Sequence, residues 1–138
     1  MKRYNLAIYE FLDVLKSLQD DYKEYGFLNE PVITSTSVKT DINSGGFYNI
    51  EFHELSTGLD FDIGIKASLS GSYFMVRISK KLATDTQPKL VDSQLVTVSI
   101  RRPKNRIVRI GDFISVPTFI ETLKSTIKAQ LKSVMNRK

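Results

Sequence analysis

The sequence predicts an α+β fold: an N-terminal helix, an antiparallel meander of five to six strands and a C-terminal helix. The expected build is a two-layer sandwich with both helices on one face of the sheet. Three observations predict it. Apolar residues recur every three to four positions at both ends of the chain, which makes a helix apolar on one side. Between those ends the period drops to two, the period of a strand with one buried face. The glycine-containing stretches SGG (44–46), STG (56–58) and SGS (70–72) cut the alternating region into hairpin-sized pieces. A sheet with one apolar face needs a cover, and two helices with one apolar stripe each supply it. The alternative is a curled, half-barrel sheet gripping the C-terminal helix.

The first helix spans residues 4–25, with Tyr4, Ile8, Phe11, Leu12, Leu15, Leu18, Tyr22 and Tyr25 on its stripe. Gly26 followed by Phe27 reads as a left-handed glycine stop with an apolar residue folding back. Branched residues in VITSTSVKTDI (32–42) favour a strand, although both of its faces carry polar groups. FYNIEFHEL (47–55) puts Tyr48, Ile50 and Phe52 on one face and Asn49, Glu51 and His53 on the other. LDFDIGIKASL (59–69) alternates without a slip, with Leu59, Phe61, Ile63 and Ile65 opposite Asp60, Asp62, Gly64 and Lys66. YFMVRISKKL (73–82) turns Phe74, Val76 and Ile78 inward and Tyr73, Met75 and Arg77 outward. ATDTQPK (83–89) is the longest polar connection. QLVTVSIRR (94–102) is the fifth strand, Pro-Lys-Asn a turn, and RIVRI (106–110) a short sixth strand. Thr118 and Glu121 have capping-box spacing, with Ser115 a rival cap, and the second helix runs to about Met135.

All 138 residues fit a single domain with one core. The hydrophobic fraction of 41% and charged fraction of 25% are those of an ordinary globular chain. With no cysteine there is neither a disulfide framework nor a thiolate metal site, and a reducing cytoplasm is the expected compartment. Glu10 and Asp13 interrupt the apolar run near the start, so it reads as a helix of the mature chain and not as a signal peptide. No run approaches the roughly 18–20 apolar residues that span a bilayer.

Catalytic motifs are missing. No GxSxG occurs, and with one histidine, His53, on the outward face of a strand, a nucleophilic triad cannot be argued. Asp60 and Asp62 share a face with His53 on neighbouring strands, a geometric opening for a metal, but a solvated cluster is the simpler reading. The glycines join strand to strand and do not open a helix, so they make no phosphate-binding loop. The expectation is a protein that is not an enzyme and carries no metal or cofactor.

Charge is the better lead. The net charge of +5 hides a split: residues 1–75 hold six Lys or Arg against eleven Asp or Glu, and residues 76–138 hold fourteen against four. Five cations, Arg101, Arg102, Lys104, Arg106 and Arg109, crowd the stretch IRRPKNRIVR. The planar arginine fork suits phosphate oxygens. Lys124, Lys128 and Lys132 recur every fourth residue on the second helix, as one ridge. Tyr73 beside cations on an open sheet is a candidate for stacking on a base. These residues suggest a non-enzymatic module that contacts a nucleic-acid backbone or an acidic protein surface. The alternative is an interaction or assembly protein, such as a phage or mobile-element subunit or an inhibitor of another protein, whose acidic and basic surfaces are complementary and allow a homo-oligomer. A third reading has the two halves screening each other within one monomer.

Overall fold

The computed structural model describes residues 3–41, 45–68, 71–81, 84, 86–98 and 115–136. The elements are α1 (Arg3–Asp20), a 3-10 turn (Tyr22–Tyr25), β1 (Val32–Asp41), β2 (Gly45–Glu54), β3 (Leu59–Ser68), β4 (Gly71–Lys80), β5 (Lys89–Val98) and α2 (Val116–Met135). The five strands pair antiparallel in sequence order as one open sheet, so the predicted α+β meander between two helices is the fold observed. The Pro-Lys-Asn turn and the sixth strand expected at 106–110 lie outside the described residues. No described helix is long and apolar enough to cross a membrane.

Strict alternation makes β2, β3 and β4 the centre of the core. Their inner faces form three cross-strand rows, Tyr48–Ile65–Phe74, Ile50–Ile63–Val76 and Phe52–Phe61–Ile78. All nine side chains are buried. The helices reach this face through rings: Phe11 of α1 stacks on Tyr48 at 5.4 Å, and Phe119 of α2 meets Phe74 edge-on at 5.2 Å. Gly46 lies under the Tyr48 ring, where an added Cβ would fall 2.7 Å from the hydroxyl and 3.0 Å from the ring carbons, so only glycine fits.

The edge strands depart from simple alternation. Ile33 and Val38 are five residues apart, which in an unbroken strand would put them on opposite faces. A bulge between Ile33 and Ser35 restores the phase, and both pack against the core. At the other edge β5 begins at Lys89, five residues before the expected start at Gln94. Its early inner-face positions, Asp92 and Gln94, face Ile78 and Val76 across the pair and are polar. The buried Gln130 of α2 meets Asp92, its Nε2 donating to Asp92 Oδ2 and to the Val76 carbonyl, each at 3.0 Å, while Gln94 stays exposed. A polar contact thus stands where an apolar one would have announced the strand.

The first helix ends earlier than expected, and the second ends at Met135 as expected. α1 stops at Asp20, and a 3-10 turn continues to Gly26, whose φ of 94° is the left-handed stop anticipated. Phe27 folds back into the core, and its N–H donates to the Tyr22 carbonyl. The buried stripe of α1 is Phe11, Val14 and Leu18, while Leu12 is exposed. Tyr4 and Ile8 lie among side chains outside the description. On α2 the rival cap prevails: Ser115 accepts from the Thr118 N–H, and Pro117 sits in the first turn, where a missing N–H costs nothing. Ser115→Ala is expected to lower unfolding free energy by about 1 kcal/mol in a urea titration. Met135, the last residue of α2, is exposed.

Glu54 is a buried carboxylate that the alternation does not announce. It follows Phe52 on the inner face and is fully covered. There it accepts from the Ser56 N–H at 2.9 Å, the Thr57 N–H at 3.1 Å and the Ser56 hydroxyl. The turn to β3 closes with the Gly58 N–H donating to the Glu54 carbonyl at 3.0 Å. This carboxylate stands in for the backbone acceptors that a tight turn leaves missing.

Candidate nucleic-acid interface

The outer face of the sheet is built by the residues left over when β2, β3 and β4 bury their inner set. In register these also form rows. The first is Lys39, Phe47, Lys66 and Tyr73, running from β1 to β4. The second is Asn49, Gly64 and Met75, and the third Glu51, Asp62 and Arg77. His53, Asp60 and Ser79 follow.

Gly64 has no side chain, so the centre of this face is sunken. The hollow has a volume of about 190 Å³ and is lined by Phe47, Asn49, Asp62, Gly64, Tyr73, Met75 and Arg77. Tyr73 therefore has the matching ring that a stacking platform needs. Phe47, 41% exposed, lies two strands away in the same row, with Lys66 between them. The rims are held in place. Asn49 Nδ2 donates to Asp62 Oδ1 and to the Ile63 carbonyl, and Arg77 Nε donates to Met75 Sδ at 3.3 Å. Sequence parity already put residue 47 outward, and a phenylalanine at an outward position was the signal available for this ring.

The predicted cations divide into three groups. Arg101, Arg102, Lys104, Arg106 and Arg109 lie outside the described residues. Lys128 and Lys132 are exposed on α2. Lys124, expected on the same exposed ridge, is turned inward instead, with 9% of its side chain accessible. Its ammonium lies 3.3 Å from Glu121, 3.4 Å from Glu24 and 3.5 Å from Asp21, and 6.0 Å from the centre of the Tyr25 ring. The cause is the docking of the 3-10 turn against α2, which brings two carboxylates of the acidic half beside it. Burial pulls the Lys124 pKa down, but the Glu121 hydrogen bond and the three negative charges outweigh it, leaving a value above the usual one for lysine. Tyr25 is buried under this cluster and shares a 2.8 Å hydrogen bond with Ser17. Desolvation pushes its pKa up to about 12.

His53 Nδ1 sits 2.8 Å from Asp60 Oδ1. Among the described residues no group of three or more histidine or carboxylate ligands is placed to hold a metal.

Compared with known proteins, the chain matches no family model, no curated protein and no solved structure.

Proposed function

We propose that this chain is a non-enzymatic binding module whose basic C-terminal half contacts the backbone of a nucleic acid. The observation that carries the reading is where the cations of that half stand. Arg77, Lys80, Lys81, Lys89, Lys128 and Lys132 are exposed, and Lys124 alone of the described ones is buried against carboxylates. Screening between the two halves of the monomer accounts for that lysine. The five cations between Arg101 and Arg109 enlarge the positive charge further. Displaced counterions then drive binding, and affinity falls steeply with salt.

The test is a filter-binding or anisotropy titration of a labelled oligonucleotide at several salt concentrations, comparing the wild type with Arg102→Glu/Lys104→Glu/Arg106→Glu. Affinity at moderate salt is expected to fall at least about tenfold, and the salt slope to flatten by roughly one unit per lost contact. Lys124→Ala is expected to leave that slope unchanged, and Lys128→Ala to lower it. Unchanged affinity in the triple variant would sink the reading.

One observation favours a second reading, self-assembly. A groove of about 400 Å³ between α1 and the start of α2 has apolar residues of α2 on one side and, among the described residues, Asp13, Asp20, Asp21 and Glu121 against one cation, Lys16. It offers an acidic counterpart to the basic half of another copy. Sedimentation at low and high salt separates the two: a monomer under all conditions removes the assembly reading.

A further inference from the structure

We propose that the hollow over Gly64 on the outer face of the sheet receives an unpaired base of a single-stranded nucleic acid, held against Phe47 and Tyr73. This rests on the nucleic-acid reading above and adds to it a site, a strand state and an orientation.

Four features argue for a base. Two rings border the hollow from β2 and β4, strands separated by two inter-strand spacings, or about 10 Å. Lys66 stands between the rings in their own row, and the floor of the hollow, in the adjacent row, is Gly64, where a Cβ would meet only the Phe47 ring, at 3.8 Å. The space is therefore not demanded by packing. Glycine inside a strand weakens it, so the hollow is retained at a cost to stability. Third, Lys39 and Lys66 lie in the row of the rings, beyond one end of the hollow. Fourth, the Asn49–Asp62 pair closes the other end with a hydrogen-bonding edge.

This polarity orients the guest. Phosphates belong over Lys39 and Lys66, because at the other end Glu51, Asp60 and Asp62 outnumber Arg77, whose Nε is turned to Met75 Sδ. The base then points toward Asn49 and Asp62, whose oxygens accept from the N–H groups of a base edge, both amide hydrogens of Asn49 being spent on Asp62 and the Ile63 carbonyl. A duplex hides its base faces, so the site selects single strands. The chain leaves β5 at Val98, opposite Ser72 and next to the row of the rings, and Arg101 and Arg102 follow three and four residues later in sequence.

The experiment compares a labelled oligothymidylate of about fifteen nucleotides with an abasic strand of equal length and charge, and with a duplex of the same length. Wild-type protein is expected to bind the oligothymidylate roughly 5- to 100-fold more tightly than the abasic strand. Tyr73→Ala and Phe47→Ala should erase most of that preference while keeping the salt slope. Gly64→Val, which fills the floor without touching the core, should do the same with melting temperature unchanged or raised, and the ring variants decide the matter if it misfolds. The 102/104/106 Glu variant should weaken both strands alike and keep the preference. Equal binding of abasic and base-bearing strands, with the ring variants unaffected, overturns the hollow and leaves the backbone reading standing. Tighter binding of the duplex also overturns it. Binding to none of the three overturns both.

Discussion

Phe27→Ala is expected to remove roughly 3–5 kcal/mol of unfolding free energy, the usual cost of truncating a buried ring in a packed core. Phe27 is 1% exposed and touches three other rings. It lies edge-on to Phe61 at 5.3 Å and to Phe52 at 5.7 Å, and parallel to Tyr25 at 5.9 Å. Phe52 and Phe61 are direct cross-strand partners stacked at 4.8 Å. Phe27 thus joins the turn after α1 to the middle of the sheet. Each such ring pair adds about 0.5–1.5 kcal/mol beyond the burial of its area. A domain of this size has only about 5–15 kcal/mol in total, so the variant sits near the edge of folding. Leu28, the next residue, is 78% exposed, and Leu28→Ala should stay within about 0.5 kcal/mol of wild type. Urea titrations of the two variants check the contrast, and similar losses from both would show that Phe27 does not join the core as described.

Raising the pH from 9 to 12 should cost roughly 2–3 kcal/mol of stability through Tyr25 alone. The phenol has a pKa of about 12 in the folded state, because burial disfavours phenolate, against about 10 when unfolded. Below pH 10 both states hold the proton and the full stability is present. Between about 10 and 12 the unfolded chain loses its proton while the folded one keeps it. The unfolded state then binds fewer protons, so stability falls with rising pH. Lys124, whose pKa is also raised in the fold, acts in the same direction and adds its own loss in the alkaline range. Burial is the largest influence on the phenol; the Ser17 hydrogen bond and Lys124 oppose it, and Asp21 and Glu121 act with it. Tyr25→Phe removes the titration but leaves the Ser17 hydroxyl without its 2.8 Å partner. The variant is expected to be somewhat less stable at pH 8 and to show a shallower alkaline decline. Denaturation at pH 8, 10 and 11.5 measures both, and equal slopes in wild type and variant would remove the assignment to Tyr25.

The candidate interface was half legible from sequence. Alternation along 73–82 put Tyr73, Met75 and Arg77 outward, and they line the hollow. Phe47 escaped notice because its significance is relational: it matters through a register that aligns it with Lys66 and Tyr73 across three strands. Lys124 shows the opposite failure. Four-residue spacing correctly aligns it with Lys128 and Lys132 along the helix, but spacing is silent on what packs beside one turn of that helix. Here the 3-10 turn packs there, bringing Asp21 and Glu24, and the lysine becomes an internal tie between that turn and α2.

Sequence by itself determined the element order, the inner set of β2, β3 and β4, the stop at Gly26 and the charge split between the halves. Each of these follows from chemistry repeated at short range: alternation along a strand, apolar spacing along a helix, or a glycine in the one conformation that favours it. Tertiary structure alone decided the bulge that rephases β1, the early start of β5, the buried carboxylate of Glu54, the inward turn of Lys124 and the pairing of Phe47 with Tyr73 over Gly64. Four of the five share a physical reason: each depends on which residue of a distant element comes to lie opposite, and that is set when the sheet and helices minimise unpaired polar groups and empty space together. Glu54 is instead held by its own turn, through Ser56 and Thr57.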